Sequence, residues 1–96
     1  MTRTIGWEGV FPAVTTQFEP NFDLDIDATA KVLDGLIRDG VSGLIVCGTV
    51  GENTSLSRAE KVAVMETAKA VARGRVPVIA GIAEFTTAFA CDMAKD

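Results

Sequence analysis

Three short apolar segments rich in branched side chains recur along the chain at a regular interval, and this period constrains the fold more than any other feature. The segments cover residues 10–14, 43–47 and 76–80, so they begin about 33 residues apart. Each is followed by a stretch in which apolar residues recur at helical spacing. The pattern predicts three consecutive βα units, and therefore a parallel sheet covered by helices.

The helices themselves are signalled by capping residues. Asp25 is a good N-cap for the first helix, and Gly40 stands where a glycine ends a helix in the left-handed conformation. Ser57 opens a Ser-x-x-Glu capping box before the second helix. A third helix is predicted to start near Thr86 or Thr87.

Composition narrows the class of protein. The chain has 96 residues, 48% of them hydrophobic, and no apolar run approaches the length of a membrane span. A net charge of -4 with scattered acidic residues gives no electrostatic footprint for nucleic acid or an anionic membrane. The absence of His removes His-based triads and the commonest metal ligand. We therefore expect a cytoplasmic protein without a metal site, a nucleic-acid partner or a membrane partner.

The two cysteines, Cys47 and Cys91, stand far apart in the sequence. Two such residues make neither a disulfide framework nor a zinc site. Free cysteine is among the most buried residue types. Both are therefore interpreted as buried, reduced thiols.

One loop, called the glycine loop below, follows the second apolar segment and consists of Gly48, Thr49, Val50, Gly51 and Glu52. Its glycines allow a sharp turn and a close approach to a ligand, and its N–H groups can point at an anion near the following helix. Both the open doubly wound sheet and the closed eightfold barrel bind ligands at the carboxyl ends of strands. The loop therefore predicts a site for a small carboxylate or phosphate. It matches no dinucleotide or phosphate-loop fingerprint, and nucleotide binding stays an alternative.

Five segments together carry a family resemblance: residues 9–18, 25–44, 48–52, 56–61 and 76–81. In order and spacing they resemble the dihydrodipicolinate synthase and N-acetylneuraminate lyase superfamily. The resemblance implies an α/β fold made of the first three βα units of a (β/α)8 TIM barrel, truncated within a repeat. Residues 1–96 would then be the amino-terminal part of a single TIM-barrel domain.

The resemblance also implies a function. Members of the family are lyases or synthases in which a lysine forms a Schiff base with a 2-oxo acid such as pyruvate, without a cofactor, in a homo-oligomer. By position, Thr49 matches the catalytic hydroxyl of a proton relay, and the backbone N–H groups of Thr49 and Val50 match the clamp for the substrate carboxylate. Gly48 and Gly51 frame that clamp, and Ala13 would line the same pocket. A hydroxyl suits a relay because it both donates and accepts, and backbone donors suit a clamp because they are preorganised.

Two departures from the family pattern indicate a divergent subgroup. Val50 stands where many members carry Thr or Ser, which keeps the N–H group but removes a side-chain donor. Gln17 stands where a Thr-Pro-Phe sequence is usual. The family's Schiff-base lysine belongs to the sixth strand and its tyrosines follow the fourth and fifth, whereas this chain has no tyrosine and places four lysines on predicted helices: Lys31, Lys61, Lys69 and Lys95. The chain alone is expected to be inactive.

Several alternatives stay open at this point. Glu52 is interpreted as a structural acceptor for N–H groups of its own loop, whereas Thr49 is open between a structural and a catalytic role. The chain is interpreted as part of a longer lyase. The alternatives are a non-catalytic fragment that self-associates through its open sheet edges, and a small independent anion-binding module.

Overall fold

Helices alternate with short parallel strands over residues 6–96, which the computed structural model describes. The elements are α1 (Ile26–Arg38), β1 (Leu44–Val46), a 3-10 turn (Asn53–Ser55), α2 (Arg58–Ala72), β2 (Val78–Ala80) and α3 (Thr87–Lys95). β1 and β2 pair in parallel, with Leu44 opposite Val78 and Val46 opposite Ala80. The predicted α/β class and the parallel pairing of the second and third apolar segments are confirmed.

The first predicted strand, residues 10–14, is not a regular strand. It is an extended segment joined to β1 by one isolated parallel bridge, between Ala13 and Ile45. The N–H group of Val14 donates to the Ile45 carbonyl at 2.8 Å, and that of Ile45 donates to the Pro12 carbonyl at 3.0 Å. The next bridge toward the amino terminus would need an N–H group on Pro12, which proline lacks. The ladder therefore does not continue on the amino-terminal side of this bridge.

The core lies between the sheet and the helices α1 and α2. Because successive side chains of a strand point to opposite faces, Leu44 and Val46 turn toward the helices and are 0% and 2% exposed. They pack in one cluster with side chains from both helices and from the first extended segment, among them Leu33, Val64, Ala68 and Val14. Full burial of each large apolar side chain contributes roughly 1.5–3 kcal/mol. The row formed by Ala13, Ile45 and Ile79 lies on the other face of the sheet and is less buried.

The predicted helix boundaries are confirmed by their caps. The Asp25 carboxylate accepts a first-turn N–H group of α1, and Gly40, with φ of 97°, follows that helix. Ser57 and Glu60 form both hydrogen bonds of the capping box at the start of α2. Thr86 caps α3 in the same way. These local signals set the position of each helix along the chain.

Two glycine substitutions test how closely the backbones of β1 and the segment after β2 approach each other. A Cβ at Gly81 would lie 2.6 Å from the carbonyl oxygen of Cys47, whereas one at Gly35, inside α1, would have no neighbour within 4 Å. We expect Gly81→Ala to lower the free energy of unfolding by roughly 1–3 kcal/mol through overpacking. The control, Gly35→Ala, should raise it by about 0.5–1 kcal/mol because glycine weakens a helix. Urea unfolding measures both, and equal effects of the two changes would contradict the close approach.

Candidate functional site

The glycine loop leaves the carboxyl end of β1 and is closed by two backbone hydrogen bonds. The N–H group of Glu52 donates to the Thr49 carbonyl at 3.0 Å, and that of Asn53 donates to the Gly48 carbonyl at 3.2 Å. Cys47 and Glu52, on either side of the turn, both have a left-handed backbone, with φ of 58° and 59°. Such conformations cost non-glycine residues free energy and persist where the surrounding structure determines them. The loop is therefore a tight, specified turn.

A run of unpaired backbone donors distinguishes this turn. Within residues 6–96, the N–H groups of Gly48, Thr49, Val50 and Gly51 donate to no protein acceptor. Thr49 and Val50 are exposed, whereas Gly51 is buried. Successive backbone N–H groups in a turn form an anion-binding concavity. The geometry can therefore take a carboxylate or phosphate at the end of the sheet.

The first anchor of the loop is a close contact at Gly51. A Cβ at this position would lie 3.0 Å from the Val14 carbonyl oxygen and 3.2 Å from the Cys47 nitrogen, so a side chain here would displace the loop. The hydroxyl of Thr16, a residue only 5% exposed, donates to the Gly51 carbonyl at 2.7 Å. Thr16 was absent from the predicted site. Its signal in the sequence is slight, a hydroxyl placed two residues after a buried Val14.

The second anchor is Asn53, which sequence reasoning also missed. Its side chain is 3% exposed, and its amide Nδ2 donates to the Ala83 carbonyl at 3.0 Å. The N–H group of Gly81 donates to the Val46 carbonyl at 2.9 Å, which fixes the same segment against β1. Asn53 Oδ1 is the buried side-chain oxygen or nitrogen that has no hydrogen-bond partner among the described residues. No sequence pattern distinguishes this Asn from an ordinary turn residue.

A buried ion pair lies beside these anchors. Lys61 of α2 has a side chain only 8% exposed, and its ammonium contacts Glu84 Oε1 at 2.7 Å. The Lys61 carbonyl accepts the Cys47 thiol at 3.8 Å. Burial raises the pKa of the Cys47 thiol, and the nearby Lys61 charge opposes this shift. The thiol therefore stays protonated, and the ammonium is held by a carboxylate.

Some of the predicted site residues lie at the glycine loop, and one of the predicted interactions is not formed. Ala13 ends the segment that bridges to β1, and Val14, the next residue, contacts the loop backbone. The Thr49 hydroxyl has no hydrogen-bond partner among residues 6–96. The prediction that Glu52 accepts N–H groups of its own loop is wrong, since this exposed side chain makes no such bond.

The cysteine prediction is confirmed for one residue and wrong for the other. Cys47 is buried, but Cys91 is exposed. Cys91 lies on α3, and Met93 is the buried residue of that helix. The other apolar side chains of this short helix are exposed or half-buried.

Comparison with known proteins identifies the family. The sequence pattern of the dihydrodipicolinate synthetase family matches residues 6–96. The chain belongs to this family. A relative from Sorangium cellulosum, described as a 4-hydroxy-tetrahydrodipicolinate synthase, is 48% identical over 80 residues, which is 82% of this chain and 27% of that protein. The expected resemblance is therefore confirmed by direct sequence similarity.

Solved structures of the same family have a similar fold. Dihydrodipicolinate synthase DapA-2 from Bacillus anthracis superimposes with a TM-score of 0.89 and 35% identity, covering 96% of this chain and 32% of that one. N-acetylneuraminate lyase from Mycoplasma synoviae gives 0.87 and 30%, covering 93% and 31%. The chloride-inhibited dihydrodipicolinate synthase from Acinetobacter baumannii, complexed with pyruvate, gives 0.87 and 29%, covering 91% and 30%.

The family member described here thus spans about a third or less of the length of the relatives it matches. Its fold corresponds to an α/β portion of dihydrodipicolinate synthase barrels. None of the helices in residues 6–96 combines the length and the apolar character that crossing a bilayer requires.

Alkylation tests the burial of Cys47 beneath the glycine loop. At about pH 8, iodoacetamide should modify Cys91 in the folded chain and leave Cys47 unmodified, because burial both blocks access and disfavours the reactive thiolate. In urea both should react at similar rates. Mass spectrometry of tryptic peptides measures the two sites separately. Equal labelling of both cysteines in the folded chain would contradict this placement of Cys47.

Proposed function

We propose that the glycine loop binds the carboxylate of a 2-oxo acid such as pyruvate, as part of a lyase of the dihydrodipicolinate synthetase family. The observation that carries the proposal is the run of unpaired N–H groups on Gly48, Thr49, Val50 and Gly51. The pyruvate complex of the Acinetobacter baumannii relative supports the choice of ligand. Backbone donors held in a tight turn need little reorganisation when an anion arrives, which favours binding.

In this proposal residues 1–96 are the amino-terminal three βα units of one TIM-barrel domain. Support comes from the coverage of 32% of the DapA-2 chain. Further support is the row of Ala13, Ile45 and Ile79, which lies on the face of the sheet away from the helices, as the inner face of a barrel would. The cytoplasmic location expected from composition and the homo-oligomer implied by the family resemblance belong to the same proposal.

The chemistry we propose for the full-length enzyme is that of an imine. A lysine amine adds to the ketone carbon of the 2-oxo acid and water leaves, and the protonated imine then accepts the electron pair when a carbon–carbon bond forms or breaks. Lys61 does not fit this role, because its buried ammonium is paired with Glu84. The other lysines, Lys31, Lys69 and Lys95, lie on the helices α1, α2 and α3. In this proposal the attacking lysine comes from another part of the enzyme.

Thr49 is the residue of this chain that we propose for proton transfer. Its side chain is exposed at the carboxyl end of β1, and its hydroxyl is free of hydrogen bonds within residues 6–96. A hydroxyl can accept one proton while it donates another. Ala13 would contact the substrate only by packing, since it has no polar side-chain atom.

Titration of the ¹⁵N-labelled chain with pyruvate tests carboxylate binding directly. We expect the amide signals of Gly48, Thr49, Val50 and Gly51 to shift at millimolar pyruvate, since each carries an unpaired donor. The signal of Asn53, whose N–H group is already bonded to Gly48, should shift less. Glycerol, which is neutral, is the control. If the amide signals of this loop stayed unchanged throughout the millimolar range of pyruvate, the proposal would be refuted.

Val50 allows a second test, because Val50→Thr restores a hydroxyl with almost no change of side-chain volume. Val50 is 53% exposed, so the new hydroxyl can reach a bound carboxylate. A hydrogen bond to a charged group contributes about 1.5 kcal/mol, so pyruvate should bind roughly tenfold tighter.

The matched control is Val10→Thr, at a valine that is 63% exposed and outside the glycine loop. It should leave the affinity unchanged. The same amide titration measures both variants. Equal affinities of Val50→Thr and the unmodified chain would place the carboxylate elsewhere.

A further inference from the structure

Asn53 occupies the junction of two segments that meet at the carboxyl ends of the strands. Its backbone N–H group closes the glycine loop on Gly48 at 3.2 Å. Its side-chain amide crosses to the segment after β2 and donates to Ala83 at 3.0 Å. One residue therefore takes part in both the internal closure of the loop and its attachment to the neighbouring segment.

We propose that Asn53 is a positioning residue for the carboxylate clamp. The inference rests on the proposed function, since it concerns the same loop. It goes further by assigning the orientation of the four N–H donors to a side chain that touches no ligand. Of the two anchors of the loop, the Thr16 hydroxyl binds the Gly51 carbonyl, and Asn53 binds the Gly48 carbonyl through its backbone and the Ala83 carbonyl through its side chain.

The segment to which Asn53 attaches is itself fixed. Gly81 donates to Val46 at its start, and the next residue after Ala83, Glu84, is paired with Lys61 of α2 at 2.7 Å. Both partners of that pair are poorly exposed, with 8% and 18% of their side-chain surfaces accessible. The amide of Asn53 therefore binds to a rigid support, as a positioning contact requires.

The unpaired side-chain oxygen of Asn53 makes it possible to distinguish a positioning role from a purely structural one. Oδ1 is buried and has no partner among the described residues, so keeping this side chain has a cost for the folded state. Asn53→Ala removes that unpaired acceptor together with the donor to Ala83. The two effects on stability oppose each other, whereas nothing opposes the loss of loop orientation. If Asn53 is a positioning residue, Asn53→Ala should weaken pyruvate binding with little change in the stability of the fold.

The test compares Asn53→Ala with Asn21→Ala. Asn21 lies in an exposed turn, where its side chain bonds to Asp23. Pyruvate is titrated into each full chain while the amide signals of residues 48–51 are followed, and urea unfolding is measured on the same samples. We expect Asn53→Ala to bind pyruvate roughly tenfold more weakly at a nearly unchanged unfolding midpoint. Asn21→Ala should match the unmodified chain in affinity.

Unchanged affinity in Asn53→Ala would overturn the assignment, and so would a loss of affinity that follows a matching loss of stability. Amide hydrogen exchange without ligand decides the question independently of pyruvate. In Asn53→Ala the N–H group of residue 53 should exchange at least about tenfold faster, while that of Gly81 keeps its protection. If the unmodified chain binds no pyruvate, the proposed function fails. Exchange at residue 53 then still tests the positioning role, and an unchanged rate refutes it.

Discussion

The close approach of three backbones at Gly51 and Gly81 is the constraint on which the site depends. At Gly51 the loop backbone lies against Val14 and Cys47, and at Gly81 the segment after β2 lies against Cys47. At Gly81 a Cβ would fall 2.6 Å from a carbonyl oxygen, which only glycine avoids, and at Gly51 it would fall 3.0 Å from one, so the neighbouring backbone would have to shift. With its carbonyls turned to Thr16 and Asn53, the loop is left with its N–H groups unpaired.

Apolar burial supports this arrangement from one side. Leu44 and Val46 pack β1 against α1 and α2, and this packing fixes where the glycine loop lies relative to the two helices. Next to the glycine loop, polar contacts connect the elements. The Cys47 thiol, the Lys61–Glu84 pair and the Asn53 amide connect α2, the loop and the segment after β2. Inside a protein such contacts are strong when paired, which makes the loop a specified rather than a mobile feature.

Much of the fold could be predicted from sequence because its signals are local. The caps at Asp25, Ser57 and Thr86 lie within one helical turn of the groups they bind. The glycine loop was predicted for the same reason. The regular strand predicted at residues 10–14 is reduced to one bridge, and Pro12, which lacks an N–H group, prevents the next bridge on its amino-terminal side.

The residues that hold the loop could not be found in this way. Thr16 binds a carbonyl 35 positions away, and Asn53 binds one 30 positions away. No local sequence pattern indicates which distant carbonyl a hydroxyl or an amide in a turn will bind. The exposure of Cys91 and of Glu52 likewise depends on what packs beside them rather than on their neighbours in the chain.

A diffraction structure of the chain with bound pyruvate tests most directly whether the glycine loop is a carboxylate clamp made of backbone donors. We expect carboxylate oxygens at about 2.7–3.1 Å from the nitrogens of Thr49 and Val50, with the hydrogen bond from the Thr16 hydroxyl to the Gly51 carbonyl intact. A pyruvate bound away from residues 48–51 would contradict it. So would a loop whose N–H groups are paired with protein acceptors.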